Sequence, residues 1–253
     1  MSQGNPILIE NLTLTLKKKL ILDSVSLQAE KGKITGIIGS SGSGKTTIFK
    51  CLLNLNLPKD AKMEGKILIF GKKPKDIPRR LVQPVFQDPI SFFNHGWNLR
   101  KCLQEPLKIN FKLSKEEINF RIETILKEFS IKEKALEQPI NRFSGGELQR
   151  LSIIRALLCE PQIILMDEPV SALDVIIQEE VIEIIKRINI EKGITILFIS
   201  HDIDVVSVLC QNVYVMNEGK IVEYGEITKI LDKPENTYTK ELIDSRNLTD
   251  IKY

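Results

Sequence analysis

Residues 39–46 read Gly-Ser-Ser-Gly-Ser-Gly-Lys-Thr, and this segment constrains the fold more than any other part of the chain. It follows a short apolar run, residues 34–38, and precedes a helical pattern, residues 47–53. Glycines let backbone N–H groups turn inward around an oxyanion, and a helix start adds a favourable dipole. The pattern G-x-x-x-x-G-K-[ST] between strand and helix therefore predicts a phosphate-binding loop for a nucleotide. The loop comprises Gly39, Ser40, Ser41, Gly42, Ser43, Gly44, Lys45, Thr46 and Thr47.

Two side chains of this loop have distinct predicted roles. Lys45 is expected to reach the β- and γ-phosphates, and the Thr46 hydroxyl is expected to bind Mg²⁺. Loops of this kind serve many unrelated functions. The motif therefore predicts a bound nucleotide without deciding what its hydrolysis drives.

A second chemical feature is the pair of adjacent carboxylates that ends the apolar run Ile-Ile-Leu-Met at residues 163–166. Open α/β sheets hold their ligands at the carboxyl ends of the strands. Because neighbouring side chains diverge along a strand, the two carboxylates can take different roles. We expect Asp167 to hold Mg²⁺ and Glu168 to accept a proton from the attacking water. The simpler alternative is a polar strand end that meets solvent.

The fold class follows from short apolar segments that alternate with helical patterns, which is typical of a mostly parallel sheet with crossover helices. Residues 34–38, 163–166 and 195–199 are apolar on both faces, as expected of buried central strands. Residues 7–16, 24–28 and 66–70 instead suit a half-exposed antiparallel sheet. A hairpin is predicted around Asn217-Glu218-Gly219.

The segment from residue 88 to residue 160 differs because it is mainly helical in pattern. Residues 114–128 have apolar side chains at helical spacing, with Ser114 as the expected N-cap and Glu117 three residues later. We interpret this segment as a helical insert in the α/β core.

Composition limits where the protein can act. Lys and Arg number 36 against 33 acidic residues, and this near balance argues against a nucleic-acid partner. No apolar run exceeds four residues, so the chain is not expected to span a bilayer. The first six residues do not resemble a secretory signal, and the four cysteines lie far apart. We therefore expect a cytoplasmic protein that reaches a membrane only through partners.

A further motif connects these features to a known family. Ser144-Gly145-Gly146-Glu147-Leu148-Gln149-Arg150 is locally a helix start with a Ser144–Glu147 capping box, and it resembles the signature motif of ABC ATPases. Other landmarks of that family follow in order. Gln87 resembles the Q-loop glutamine, Asp174 in Ser-Ala-Leu-Asp resembles the D-loop aspartate, and His201 resembles the switch histidine. The resemblance covers nearly the whole chain, about residues 7 to 245.

This resemblance implies a RecA-like P-loop core in the α/β class, with an N-terminal antiparallel β subdomain and an inserted helical signature subdomain. The expected segments are 1–87 for the β subdomain and first part of the core, and 88–160 for the helical subdomain. Residues 161–230 would complete the core, and 231–253 would form a short tail.

The resemblance also implies a dimer in which ATP lies between two subunits. Ser144, Gly145 and Gly146, with Asp174 nearby, would contact the nucleotide held by the opposite loop. His201 would hold the γ-phosphate and the hydrolytic water. Gln87 would sense Mg²⁺ and water, as well as touch the membrane partner. The catalytic residues implied are therefore Glu168, His201 and Gln87, and the Mg²⁺ ligands are Thr46, Gln87 and Asp167.

Two local features resemble the ATPases of oligopeptide, dipeptide and nickel importers. These are Phe86-Gln87-Asp88-Pro89 followed by Glu-Pro-Leu at 105–107, and the tail at residues 234–242. Residues 167–174 resemble the second, F-type or E-type, ATPase of such systems. The resemblance favours a heterodimer with a second ABC ATPase subunit over a homodimer. It also implies two transmembrane permease subunits and an extracytoplasmic substrate-binding protein that acts indirectly. The protein would be peripheral on the inner face of the membrane, and the cargo would be peptides, nickel or a metal–chelator complex.

Some positions depart from the family pattern or leave alternatives open. Leu16 stands where an aromatic residue commonly stacks on adenine, so we expect ATP and GTP to bind within a few-fold of each other. Glu147 replaces the commoner glutamine. The segment from Phe92 to Trp97 is either a permease anchor or part of the insert's core. Two other functions stay open: a soluble ABC ATPase outside transport, and a catalytically weak regulatory subunit.

Overall fold

The computed structural model describes residues 4–55, 57–58 and 60–249, with side chains up to residue 245. The outermost residues of the segments predicted at each terminus, 1–3 and 250–253, lie outside this part. In chain order the strands are β1 (Ile7–Leu16), β2 (Lys19–Ala29), β3 (Ile34–Ile38), β4 (Lys62–Ile69), β5 (Val82–Phe86), β6 (Ile163–Asp167), β7 (Thr195–Ser200), β8 (Asn212–Asn217) and β9 (Lys220–Glu226). The helices are α1 (Lys45–Leu52), α2 (Leu99–Asn110), α3 (Lys115–Glu128), α4 (Gly145–Leu157), α5 (Val175–Lys192), α6 (Ile203–Leu209), α7 (Ile227–Asp232) and α8 (Thr237–Thr249), with short 3₁₀ turns between them.

The strands form two sheets. One is antiparallel with the order β2-β1-β4, and the other has the order β5-β6-β7-β3-β8-β9. In the larger sheet all neighbours pair in parallel except β8 and β9, which form an antiparallel hairpin. The carboxyl ends of β3, β5, β6 and β7 therefore meet at one edge. The expected fold class, an α/β P-loop core with an antiparallel β subdomain and a helical insert, is confirmed.

The central strands are buried on both faces because each faces two separate cores. Along β6, Ile164 and Met166 point into one cluster of apolar side chains, whereas Ile163 and Leu165 point into the other. The first cluster continues into the helical region from α2 to α4. The second lies between the larger sheet, α1 and the antiparallel sheet. The period-two alternation of a strand explains how one apolar run serves both cores.

Local sequence signals account for several element boundaries. Ser114 caps α3 and forms the predicted capping box with Glu117. The turn between β1 and β2 consists of Lys17 and Lys18, because Lys19 already pairs with Leu16 as the first residue of β2. Helix α1 likewise begins at Lys45 rather than at residue 47. No helix within the described residues is both long enough and apolar enough to cross a membrane.

Candidate nucleotide-binding and hydrolysis site

A cleft of about 370 Å³ lies at the carboxyl edge of the parallel sheet. The strand order explains its position, because the loop after β3 and the ends of β5 and β6 converge there. Most of the predicted phosphate-binding, magnesium and catalytic residues contribute to its wall. The lining residues are Ile21, Ser41, Gly42, Gly44, Lys45, Thr46, Thr47, Phe86, Gln87, Asp88, Asp167 and Glu168.

The glycines at the two ends of the phosphate loop lie against the β8–β9 hairpin, and the backbone contact at Gly39 requires a glycine there. A Cβ at Gly39 would lie 2.0 Å from the Met216 carbonyl oxygen, and one at Gly44 would lie 2.8 Å from the Met216 side chain. Both residues also have positive φ angles, 153° and 107°. The Gly219 N–H donates to the Ser43 carbonyl and fixes the loop from the same side. The loop is therefore held in shape by the fold around it.

Lys45 places a buried cation at the floor of the loop. Its side chain is 5% exposed, and its Nζ donates to the carbonyl oxygens of Gly39 at 2.7 Å and Ser40 at 2.8 Å. Burial lowers the pKa of Lys45, whereas the nearby charges of Glu168 and Asp167 act to raise it. An anionic ligand would supply the charge compensation that the buried ammonium lacks.

Asp167 and Thr46 form the part of the cleft suited to a divalent cation. Burial raises the pKa of Asp167, while the hydrogen bond with the Thr46 side chain acts to lower it. Gln87 lines the same cleft and is exposed. A hydroxyl, an amide and one buried carboxylate fit Mg²⁺, which commonly takes one or two carboxylates and completes its shell with phosphate oxygens and water.

Glu168 and His201 form a direct pair beside the phosphate loop. His201 Nδ1 lies 2.6 Å from Glu168 Oε2. With Glu168 as a carboxylate, which can only accept a hydrogen bond, this contact requires the Nδ1–H tautomer of His201. Glu168 has a positive φ of 49°, and its N–H donates to the Ile199 carbonyl of β7. The backbone beyond β6 is thus bent while it stays attached to the neighbouring strand, and this aims the carboxylate at the cleft and at His201.

The signature residues do not line the cleft of their own chain. Ser144 caps α4, its N–H and hydroxyl both donate to Glu147 Oε2, and its hydroxyl accepts from the Glu147 N–H. The hydrogen bonds that Glu147 accepts from Ser144 lower the pKa of the Glu147 carboxyl, and the bond from the Ser144 backbone N–H has the larger effect. Gly145 and Gly146 are the first residues of α4. Asp174 instead caps α5 by accepting from the Ile177 N–H. The structure therefore brings the loop, Gln87, Asp167, Glu168 and His201 together, and it leaves Ser144, Gly145, Gly146 and Asp174 outside.

A family model described as ABC transporter matches residues 22–171, more than half of the chain. The chain belongs to the ABC transporter family. As a member of this family, it is an ATPase that binds ATP.

Curated and solved relatives agree with this assignment. The oligopeptide transport ATP-binding protein OppF of Lactococcus lactis subsp. lactis is 37% identical over 89% of this chain and 72% of its own length. The dipeptide transport ATP-binding protein DppF of Haemophilus influenzae is 34% identical over 88% of this chain and 69% of its own length. Among solved structures, the ATP-binding cassette MJ0796, described as a dimer in a post-hydrolysis state bound to ADP and Pi, is 28% identical with a TM-score of 0.75. That match covers 87% of this chain and 98% of the cassette.

The apolar contact in the cleft of this ABC ATPase differs from the one inferred from the family pattern. Ile21 lines the cleft and Leu16 does not, although both pack against the apolar cluster under the antiparallel sheet. Sequence reasoning missed Ile21, Phe86 and Asp88 as lining residues. The run Leu20-Ile21-Leu22 breaks the alternation of β2, but it does not single out Ile21, because Leu20 is the more exposed side chain.

Proposed function

We propose that this chain is the nucleotide-binding subunit that energises an ABC importer for peptides by hydrolysing Mg²⁺-bound ATP between two ATPase subunits. One observation carries the proposal: Lys45, the Thr46–Asp167 pair and the Glu168–His201 pair converge on one cleft, while the signature residues lie outside it. The first set can bind and hydrolyse the triphosphate. The second set would contact the nucleotide of another subunit.

In the proposed mechanism the phosphate loop and Lys45 hold the β- and γ-phosphates. Thr46, Asp167 and Gln87 would hold Mg²⁺, which supplies charge neutralisation on the phosphate oxygens when bound. Glu168 accepts a proton from the attacking water. His201 fixes the carboxylate through its Nδ1–H. The other edge of its ring would hold the γ-phosphate and the hydrolytic water. Because Lys45, Asp167, Glu168 and His201 are all present, a catalytically weak regulatory subunit is the less favoured alternative.

The proposed dimer would complete each site with the Ser144–Gly146 helix start and Asp174 of the partner ATPase. A helix start that faces a triphosphate is favourable because its free N–H groups and dipole attract negative charge. ATP would close the dimer, and product release would reopen it. The described dimeric state of MJ0796 supports this arrangement. We propose that the partner is a different ABC ATPase subunit rather than a second copy of this chain.

The permease subunits would dock in an apolar groove of about 420 Å³ between α1, β5 and α2. Phe92 lines it and packs against Phe86, with ring centroids 5.0 Å apart. Phe86 also lines the nucleotide cleft, so the two sites share a side chain. Phe93 is buried in the core and Trp97 does not line the groove, so within the predicted aromatic segment Phe92 is the better anchor. Contact with permeases here would hold the subunit at the inner face of the membrane.

A charged residue in the groove tests this docking. Ile109 lines the groove with 74% of its side chain exposed, whereas Phe120 on α3 is 70% exposed and lies away from it. Ile109→Glu is expected to abolish co-purification with the permeases while it leaves ATP hydrolysis by the isolated chain unchanged. Phe120→Glu is the matched control and should retain both. Equal loss of permease binding in the two variants would contradict the groove assignment.

Peptides are favoured as cargo because the named relatives are oligopeptide and dipeptide transport proteins. Nickel and metal–chelator complexes remain the alternative drawn from the subfamily resemblance. The binding protein and the permeases would make this choice. Uptake of a labelled dipeptide and of ⁶³Ni by cells with and without Glu168→Gln distinguishes the two. Loss of peptide uptake alone supports the proposal, and loss of nickel uptake alone contradicts it.

A further inference from the structure

The C-terminal helix α8 reaches the phosphate loop through one side chain. The hydroxyl oxygen of Tyr238 accepts a hydrogen bond from the Ser40 N–H at 2.8 Å, across 198 residues of sequence. Neither the phosphate-loop motif nor the chemistry assigned to the cleft uses this contact. It connects the second residue of the loop to an element at the other end of the chain.

The bonded N–H belongs to the peptide that joins Gly39 to Ser40. The carbonyl oxygen of that same peptide accepts from Lys45 Nζ at 2.7 Å. One rigid amide plane is therefore held at both ends, by Tyr238 on its N–H side and by Lys45 on its carbonyl side. A hydrogen bond at the N–H also polarises the amide and strengthens its carbonyl as an acceptor. The position of the loop lysine thus depends in part on the orientation of this peptide, together with the second bond of Lys45, to the Ser40 carbonyl at 2.8 Å.

This peptide needs an external restraint. Gly39 has no Cβ and a φ of 153°, so rotation of the 39–40 peptide meets less steric resistance than at other residues. Ser40 is exposed, so the core does not fix it either. Without the tyrosine hydroxyl, only the carbonyl side of the peptide would be held.

Tyr238 is itself anchored, as a positioning role requires. Both oxygens of Glu223 on β9 accept backbone N–H groups of the segment before α8, from Glu235 at 2.8 Å and Asn236 at 3.1 Å. The Asn236 side chain then accepts from the Tyr238 N–H at 2.9 Å. The Tyr238 ring packs against the larger apolar cluster. Hydrogen bonds thus connect β9 to the segment before α8, and Tyr238 of α8 to the phosphate loop.

We propose that Tyr238 is a positioning residue for the nucleotide site: its hydroxyl oxygen fixes the Gly39–Ser40 peptide and, through it, the position of Lys45. The inference rests on the proposed function, since it concerns how the same loop binds nucleotide. Loss of the hydroxyl loosens the loop and weakens nucleotide binding. Chemistry in the saturated complex changes little, because the phosphates themselves then hold Lys45.

The test compares Tyr238→Phe with Tyr224→Phe in the full chain, using Mg²⁺-ADP as the probe. Tyr224 is stacked on Tyr214 and does not line the cleft, so its variant controls for loss of a phenol hydroxyl elsewhere. A neutral hydrogen bond contributes about 0.5–1.5 kcal/mol, so the dissociation constant of Tyr238→Phe should rise about 2- to 12-fold. The KM for ATP should rise likewise while kcat stays within about 2-fold. Tyr224→Phe should match the wild type in both.

Amide exchange supplies a readout that does not depend on binding. In the nucleotide-free chain, the Ser40 amide should exchange faster in Tyr238→Phe than in Tyr224→Phe. Unchanged ADP affinity in Tyr238→Phe, or equal weakening in both variants, would overturn the inference and leave the proposed function standing. A wild-type chain that binds no ADP would overturn both.

Discussion

Among single residues of the site, Glu168 combines a strained backbone with a central position. Glu168 has a φ of 49°, a left-handed conformation that is costly for a residue with a Cβ. The same bend lets the residue leave β6, bond to β7 and face His201. The proposed catalytic carboxylate is therefore positioned at some cost in stability.

Replacement of Glu168 by Gly and by Ala separates that strain from the loss of the carboxylate. Both variants lack the proposed base and should be inactive. Glu168→Gly should nevertheless be more stable than Glu168→Ala by about 1 kcal/mol, because Gly adopts positive φ without the Cβ penalty. Urea unfolding of the pair measures this difference. An alanine variant as stable as the glycine variant would show that the bend is not strained.

Asp167 gives a residue-scale prediction with a pH dependence. Burial raises the pKa of Asp167 above the ordinary value of 3.8. The Asp167 carboxyl therefore binds its proton more tightly in the folded state than in the unfolded chain. The stability contributed by this group is complete below the unfolded pKa and is lost as pH rises through the folded pKa. At neutral pH the buried carboxylate therefore destabilises the nucleotide-free chain. Asp167→Asn should be more stable than the wild type there.

The gain in stability from Asp167→Asn should grow as pH rises from about 4 and then level off, and urea unfolding of both proteins across this range measures it. The variant should also lose the effect of Mg²⁺ on ATP binding. A gain of equal size at every pH would mean that titration of Asp167 does not cause it.

At the scale of elements, the start of α4 serves packing as well as the proposed nucleotide contact. A Cβ at Gly146 would lie 2.4 Å from Ile177 Cγ2 of α5, whereas a Cβ at Gly145 would meet nothing within 4 Å. The two adjacent glycines of the signature motif therefore have different local reasons to be glycine. Gly146 lets two helices approach, and no packing contact requires Gly145.

This difference yields a matched pair of variants. Gly146→Ala should lower the free energy of unfolding by about 1–3 kcal/mol through overpacking, and Ile177→Ala should relieve part of that loss. Gly145→Ala should keep or slightly raise stability, since Ala is the better helix residue. It should still weaken ATP-dependent dimerisation if this helix start faces the partner's phosphates. Normal dimerisation of Gly145→Ala would contradict that contact, and thermal melting with light scattering measures both properties.

Elements were predictable where a local pattern determines them. The buried strands β3, β6 and β7 and the caps of α3 and α4 follow from apolar runs and from Ser–Glu pairs three residues apart. Strand ends were less predictable. Pairing with β1 extends β2 back to Lys19, and the preference of a single residue does not contain that information.

At the scale of the whole molecule, the residues that sequence reasoning missed are those whose contacts are long-range. The contact between Tyr238 and Ser40 depends on how the tail is anchored to β9. The place of Ile21 in the cleft depends on how the antiparallel sheet meets the phosphate loop. The motif residues could be predicted because adjacent parallel strands end at one edge, which topology ensures once the fold class is known.

Under the proposed function, the described residues carry two incomplete halves of an ATP site. One half would be the cleft with its loop, the proposed metal ligands and the Glu168–His201 pair, and the other would be the start of α4 with Asp174. Two subunits placed head to tail would join each half to its counterpart. Hydrolysis and association would then be coupled, which gives ATP turnover its mechanical effect.

The decisive measurement is ATP turnover by the purified chain and by Glu168→Gln, together with light scattering of both. We expect Glu168→Gln to lower turnover by about 100-fold or more, because it removes the proposed general base, while ATP binding is kept. We also expect the variant to accumulate as an ATP-dependent dimer, since closure occurs without hydrolysis. A Glu168→Gln chain that hydrolyses ATP at a rate within a few-fold of the wild type, and stays monomeric with ATP, would contradict the proposed mechanism.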